Sequence, residues 1–343
     1  MKKKLILDCT LRDGGLGFED VSKSNKEYPC FTDVDRTEVA GKLTSAKLDI
    51  IELGSIEKTD DNRQKFAIYK DIEQISEIMP TKAYSEQIFA ALYRGPDIPL
   101  DEIPEWREGL CQGVRVILRY SELKKSLTFC EALAKKGYKV FVQPMLTMRY
   151  TQDEIQMVLD AANAMGAFAT YFVDSYGYMQ ADDIKRFFER YDSELNPKIK
   201  IGFHAHNNKN LAFSNALTLL SQESDRDIIL DSCIMGLGQG AGNLQTEIIA
   251  DHYITEFKNL YEFGYILDAC DIIDKYWTAN TWGYSVINFI PTRHKAAYKY
   301  AMAMRNQYHM SYREIDRIFS CMSYELKQRF TNDHLMRILK LNV

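Results

Sequence analysis

Apolar and polar positions along this chain follow two rhythms that take turns. Short runs rich in β-branched and aromatic residues, such as "KLILDCT" and "YKVFVQPM", are separated by longer stretches whose apolar residues recur every three or four positions. Eight short runs occupy residues 4–10, 48–54, 87–93, 114–120, 138–145, 169–175, 198–206 and 227–236. The stretches between them carry helix start and stop signals. In "TQDEIQMVLDAANAMG", Thr151 and Glu154 have capping-box spacing, Ile155, Val158, Leu159 and Ala162 share a face, and Gly166 is the stop. Eight strands alternating with helices over about 250 residues predict parallel pairing through βαβ crossovers. The expected fold is an α/β chain, a (β/α)8 TIM barrel. The alternative is an open doubly wound sheet, whose dinucleotide-binding form is disfavoured because no Gly-x-Gly-x-x-Gly follows the first strand.

After about residue 265 the strand-like runs stop. "GYILDACDIIDKYW", "HKAAYKYAMAMRNQY", "SYREIDRIFSCMSYELKQRF" and "NDHLMRILK" all read as helices. The expected organisation is a barrel over residues 1–265 and a helical C-terminal extension over 266–343. Met302 and Met304 are expected in packing rather than in a cofactor site.

Composition narrows the function classes. The chain has 343 residues, 46% hydrophobic and 27% charged, the balance of a globular protein rather than a disordered one. A net charge of −5 offers no broad basic face, so neither nucleic acid nor an anionic membrane is an expected partner. The apolar run after the N-terminal lysines is too short for a signal peptide, and no run approaches a membrane span; a cytoplasmic location is expected. Seven cysteines lie scattered without a Cys-x-x-Cys pair, which predicts reduced thiols rather than a disulfide framework or zinc ribbon.

Barrel active sites lie at the C-terminal strand ends, and several of these carry polar residues. The first run ends with Arg12 and Asp13 and the second holds Glu52. The sixth ends with Asp174 and Ser175, the seventh with "HAHNN", and the eighth runs into "GLGQGAGN", which includes Gly240, Gly242 and Asn243. By the period of two, Ile199, Ile201, Phe203 and Ala205 share one face of the seventh strand, while Lys200, Gly202, His204 and His206 share the other. Both imidazoles then point into the barrel with Cα atoms roughly 6–7 Å apart. From there they can converge on one cation at about 2.0–2.2 Å. Asp13 is the available carboxylate, although an Asp before two glycines also reads as a simple turn. Two imidazoles and one carboxylate leave open positions on a divalent ion for substrate and water. The glycine-rich run is either a tight loop or a place where backbone N–H groups approach an anionic ligand at Gly240 and Gly242.

"LDCTLRDGG", "VDSYG", "GFHAHNN" and "GLGQGAGNLQTE", in this order, resemble the metal-dependent lyase and aldolase superfamily. Its members include hydroxymethylglutaryl-CoA lyase, isopropylmalate and homocitrate synthases and 4-hydroxy-2-oxovalerate aldolase. The resemblance covers about residues 4–258, and the tail with "WGYSVINFIPTRHKAA" is most similar to the last of these. It implies a divalent metal, Mn2+ or Mg2+ before Zn2+ or Co2+, held by Asp13, His204 and His206 with Asn243 beside it. It also implies that Arg12 stabilises an enolate oxygen of a small-molecule 2-oxo acid such as pyruvate, and it makes Glu52 a candidate proton carrier. Arg12, Asp174, Ser175, Gly240 and Gly242 are the expected substrate contacts. The expected activity is a metal-dependent carbon–carbon aldolase or lyase, with self-association or a dehydrogenase partner through the helical tail.

Two departures stand out. The aldolases carry a histidine where this chain has Leu16, and the acyl-CoA-condensing synthases carry Gly-Glu-Gln where it has Gly14, Gly15 and Leu16. An acyl-CoA-dependent reaction of the same superfamily, or a catalytically impaired metal-binding subunit, is therefore the competing expectation. A non-haem iron oxygenase shares the donor set but commonly sits in an all-β barrel.

Overall fold

The computed structural model describes residues 3–22, 30–59, 63–277 and 282–342. Eight parallel strands form the barrel. They are β1 (Lys4–Asp8), β2 (Ile50–Ile56), β3 (Ile88–Tyr93), β4 (Gly113–Leu118), β5 (Lys139–Pro144), β6 (Ala169–Asp174), β7 (Lys200–Ala205) and β8 (Ile228–Ser232). Each pairs with the next, and β1 pairs with both β8 and β2, which closes the ring. Six of the strands fall inside the apolar runs, while β2 runs two residues past its run and β4 begins one residue before its own. These runs are nearly continuous because a parallel strand is buried on both faces, by the helices outside and by its opposite strands inside. A two-residue strand, Ile68–Tyr69, joins the end of β2 and is too short to leave a periodic signal.

The Thr151–Glu154 capping box forms, and the helix Gln152–Met165 ends on Gly166 in the left-handed conformation, φ 65°. The sequence pattern misleads at Thr10. The Asp-Gly-Gly that reads as a turn lies inside the helix Thr10–Ser22, which places Asp13 in a first helical turn. Glycine costs about 1 kcal/mol relative to alanine in a helix. Here it answers close approach: a Cβ on Gly15 would lie 2.0 Å from the Phe66 carbonyl oxygen, and one on Gly17 would lie 2.5 Å from that of Gly238.

Beyond the barrel the described residues form helices only: Phe263–Trp277, Val286–Arg293, Tyr298–Asn306, Tyr312–Cys321, Tyr324–Gln328 and Asn332–Asn342. Ile266, Ala269 and Ile273 of the first pack into the barrel's own apolar cluster. A separate cluster gathers around Tyr300, Met304 and Phe319. This helical part touches the helix after β1 and the loops after β6 and β8. Tyr298 donates its hydroxyl to Asp20, Tyr176 donates to the Gln328 carbonyl at 2.7 Å, and Trp282 Nε1 donates to the Gly238 carbonyl at 2.6 Å. Among the described residues no helix is long and apolar enough to cross a membrane.

Candidate active site

Strand parity decides what faces the barrel axis. Phe203 on β7 packs outward against Phe172, whereas Gly202 faces inward, where a Cβ would meet the Tyr171 ring at 2.2 Å. His204 shares the inward face of Gly202, and His206 follows just past the strand end, bridged to Asn243. Their ring centroids are 5.1 Å apart. Ligand atoms of Asp13, His204 and His206 all lie within 4.8 Å of one another, the convergence expected from the sequence.

Each of the three side chains is oriented by a second group. His204 Nδ1 meets Asp231 Oδ2 at 2.9 Å and His206 Nδ1 meets the Gly242 carbonyl at 3.2 Å, so both rings keep Nε2 for a cation. Asp13 accepts from Arg12 Nη1 at 2.5 Å and from Asn243 Nδ2. The Asn243 side chain also donates to the Leu237 carbonyl at 2.9 Å, and its Oδ1 is buried without a partner. Gly238 admits this arrangement, because a Cβ there would lie 2.1 Å from Asn243 Nδ2 and 2.5 Å from Asp13 Oδ2.

Burial opposes a charge on Asp13, but Arg12 and the two histidines outweigh it and hold the carboxyl well below the usual carboxylate range. Burial also opposes a charge on His204, yet hydrogen bonds with Asp231 and Cys9 carry its imidazolium up to about 9. His206 lacks such a carboxylate. Burial, helped by the charges of His204 and Arg12 and resisted by Asp13, pushes it down to about 4.

A buried ionic layer lies behind these residues. Glu52 Oε2 accepts from Arg12 Nε at 2.8 Å and from Arg115 Nη1 at 2.9 Å. Arg115 Nη2 bonds Asp231, the partner of His204. Glu52 is among the residues expected from the sequence and Arg115 and Asp231 are not, although the signal is the same, one charge inside "VRVIL" and inside "IILDS". With neutral imidazoles the cluster sets two guanidiniums, Arg12 and Arg115, against three carboxylates, Asp13, Glu52 and Asp231. The negative charge left once His204 gives up its proton, the two imidazole Nε2 atoms and the orphaned Asn243 Oδ1 fit a divalent cation. Cys9, His204 and Asp231 also lie within 4.8 Å, but Asp231 is tied to Arg115 and the set reads as support for His204.

The remaining expected contacts divide. Asp174 shares the outward face of β6 with Phe172 and accepts from the Tyr178 and Met179 backbone N–H groups at 2.9 and 3.0 Å; burial pushes its carboxyl up to about 7. It caps a loop rather than joining the Asp13 cluster. Ser175 Oγ accepts from Leu146 N at 2.9 Å. Gly242 adopts φ 80° and supplies the carbonyl that orients His206, while Gly240, φ 63°, lies under the Tyr298 ring. Leu16 is 4% exposed and belongs to the apolar cluster.

The chain matches the HMGL-like family model over residues 114–272. It is 25% identical over 249 residues to the oxaloacetate decarboxylase of Mycobacterium tuberculosis, covering 72% of this chain and 69% of that protein. It is 26% identical over 249 residues to the 4-hydroxy-2-oxovalerate aldolase of Pseudoalteromonas translucida, covering 72% and 68%. Among solved structures it shares the fold of hydroxymethylglutaryl-CoA lyase from Pseudomonas aeruginosa, with 18% identity, a TM-score of 0.58, and coverage of 80% of this chain and 93% of that one.

Proposed function

We propose that this protein is a divalent-metal-dependent carbon–carbon lyase that acts on a 2-oxo acid through a pyruvate-type enolate. The observation that carries the reading is the convergence of Asp13, His204 and His206 within 4.8 Å, with the Arg12 guanidinium bonded to Asp13. Asp13, His204 and His206, with Asn243 beside them, would hold a divalent cation, which would supply Lewis acidity toward a bound 2-oxo acid. Arg12 adds fixed positive charge where the enolate oxygen develops. Its Nε and Nη1 are occupied by Glu52 and Asp13, which leaves Nη2 as the edge for that oxygen. Glu52, accepting from two guanidiniums, holds Arg12 rather than serving as a base. Ser175, whose oxygen takes Leu146 N, keeps its hydroxyl proton for a substrate carboxylate.

Leu16 separates two substrate classes. Cleavage of a 4-hydroxy-2-oxo acid needs a base for the hydroxyl, and the helix carries a buried leucine one turn past Asp13, where the aldolases carry histidine. Decarboxylation of an oxaloacetate-type acid needs no such base, since carbon dioxide leaves with the same enolate behind. Leu16 therefore favours the decarboxylation reading, and a relative named oxaloacetate decarboxylase agrees with it. The test is exchange of pyruvate methyl protons for solvent deuterium with Mn2+ and with EDTA, followed by turnover of oxaloacetate and of 4-hydroxy-2-oxovalerate. Metal-dependent exchange supports the enolate. Metal binding without exchange would make the chain a binding subunit.

A further inference from the structure

Arg115 lies in the middle of β4, fully buried, and touches neither Asp13 nor His206. Its guanidinium instead joins the two halves of the site. Nη1 donates to Glu52 Oε2 at 2.9 Å, the same oxygen that takes Arg12 Nε at 2.8 Å. Nη2 donates to Asp231 Oδ2, the same oxygen that meets His204 Nδ1 at 2.9 Å. The Gln143 amide, turned with its oxygen toward the guanidinium, accepts from Nε at 3.1 Å. The Tyr171 ring covers Arg115, with the guanidinium carbon 5.0 Å from the ring centroid, and Gly202 leaves room for that ring.

We infer that Arg115 is the positioning residue that sets both halves of the site together, aiming the Arg12 guanidinium through Glu52 and the His204 imidazole through Asp231. Charge balance alone would be met by any cation at this place. The geometry asks for more: two carboxylates from β2 and β8, the strands on either side of β1, and an amide from β5, held by one planar fork. An ammonium group is a single point of charge and cannot span them in fixed directions. Outer-shell partners of this kind typically change metal affinity or activity on the order of 10- to 100-fold when removed.

The inference rests on the enolate reading above, and its test separates the two. Mn2+ affinity of the metal-free full chain is measured by calorimetry, and pyruvate methyl-proton exchange is measured at saturating Mn2+, for wild type, Arg115→Met and Arg115→Lys. Circular dichroism checks that each is folded. Both variants are expected to lose Mn2+ affinity on the order of 10- to 100-fold and to exchange more slowly even when saturated, with Arg115→Lys folded and still impaired. If Arg115→Met does not fold, Arg115→Lys decides alone. A folded Arg115→Lys with wild-type affinity and exchange overturns the inference, whereas a wild type that neither binds Mn2+ nor exchanges overturns the enolate reading instead.

Discussion

His204 and His206 face the same space with ring centroids 5.1 Å apart, yet only His204 is tied to a carboxylate, Asp231. That asymmetry predicts opposite titrations in metal-free protein. His204 is held up at about 9 and His206 pushed down to about 4, against an unfolded value near 6.5. The His204 contribution to stability is complete below about pH 6.5 and is lost as pH rises through about 9. The His206 contribution is complete above about 6.5 and is lost as pH falls through about 4. The pair therefore contributes most near pH 6.5. Two-dimensional NMR of the imidazoles should resolve the two titrations, and a single shared midpoint would refute them.

Metal affinity should depend on pH through the same residue. A ligand imidazole must be neutral, so binding displaces the His204 proton, and affinity should rise about tenfold per pH unit up to about 9. Calorimetry with Mn2+ at several pH values, in buffers of different ionisation enthalpy, counts the released proton. A flat profile between pH 6 and 8 would contradict the assignment.

Removing Arg12 or Asp13 should abolish turnover by different routes. Arg12→Ala is expected to bind Mn2+ and lose on the order of 10²–10³ in rate, the scale of a deleted oxyanion donor. Asp13→Ala should lose the metal first, visible in calorimetry before any assay. Full turnover by either folded variant is the result that would remove the site assignment.

Gly238→Ala is expected to disturb the site from the loop side. Its Cβ would fall 2.1 Å from Asn243 Nδ2 and 2.5 Å from Asp13 Oδ2. Overpacking of this kind costs about 1–3 kcal/mol. A lowered Tm together with weakened Mn2+ binding is the expected pair of changes, and unchanged Mn2+ binding would count against Asn243 and Asp13 as neighbours of the ion.

Leu16→His places a proton acceptor where the aldolases have one. The ratio of 4-hydroxy-2-oxovalerate cleavage to oxaloacetate decarboxylation should rise, with some loss of stability because Leu16 packs in the apolar cluster. An unchanged ratio would mean that Leu16 does not choose between the two substrates.

The eight strands, the capping box at Thr151 and the shared face of His204 and His206 were legible in the sequence because each depends on spacing within one element. The period of two places both imidazoles together whatever the rest of the chain does. Asp13 was legible as a carboxylate but not as a helical residue. The turn chemistry of Asp-Gly-Gly is local, whereas the close approach of Leu237 and Phe66 that calls for those glycines comes from distant segments. Arg115 is 63 residues from Glu52 and 116 from Asp231, and only closure of the ring brings the three together. A charge inside an apolar strand announces that it needs a partner, and tertiary structure alone decides which one, because ion pairing acts through space and strand periodicity acts along the chain.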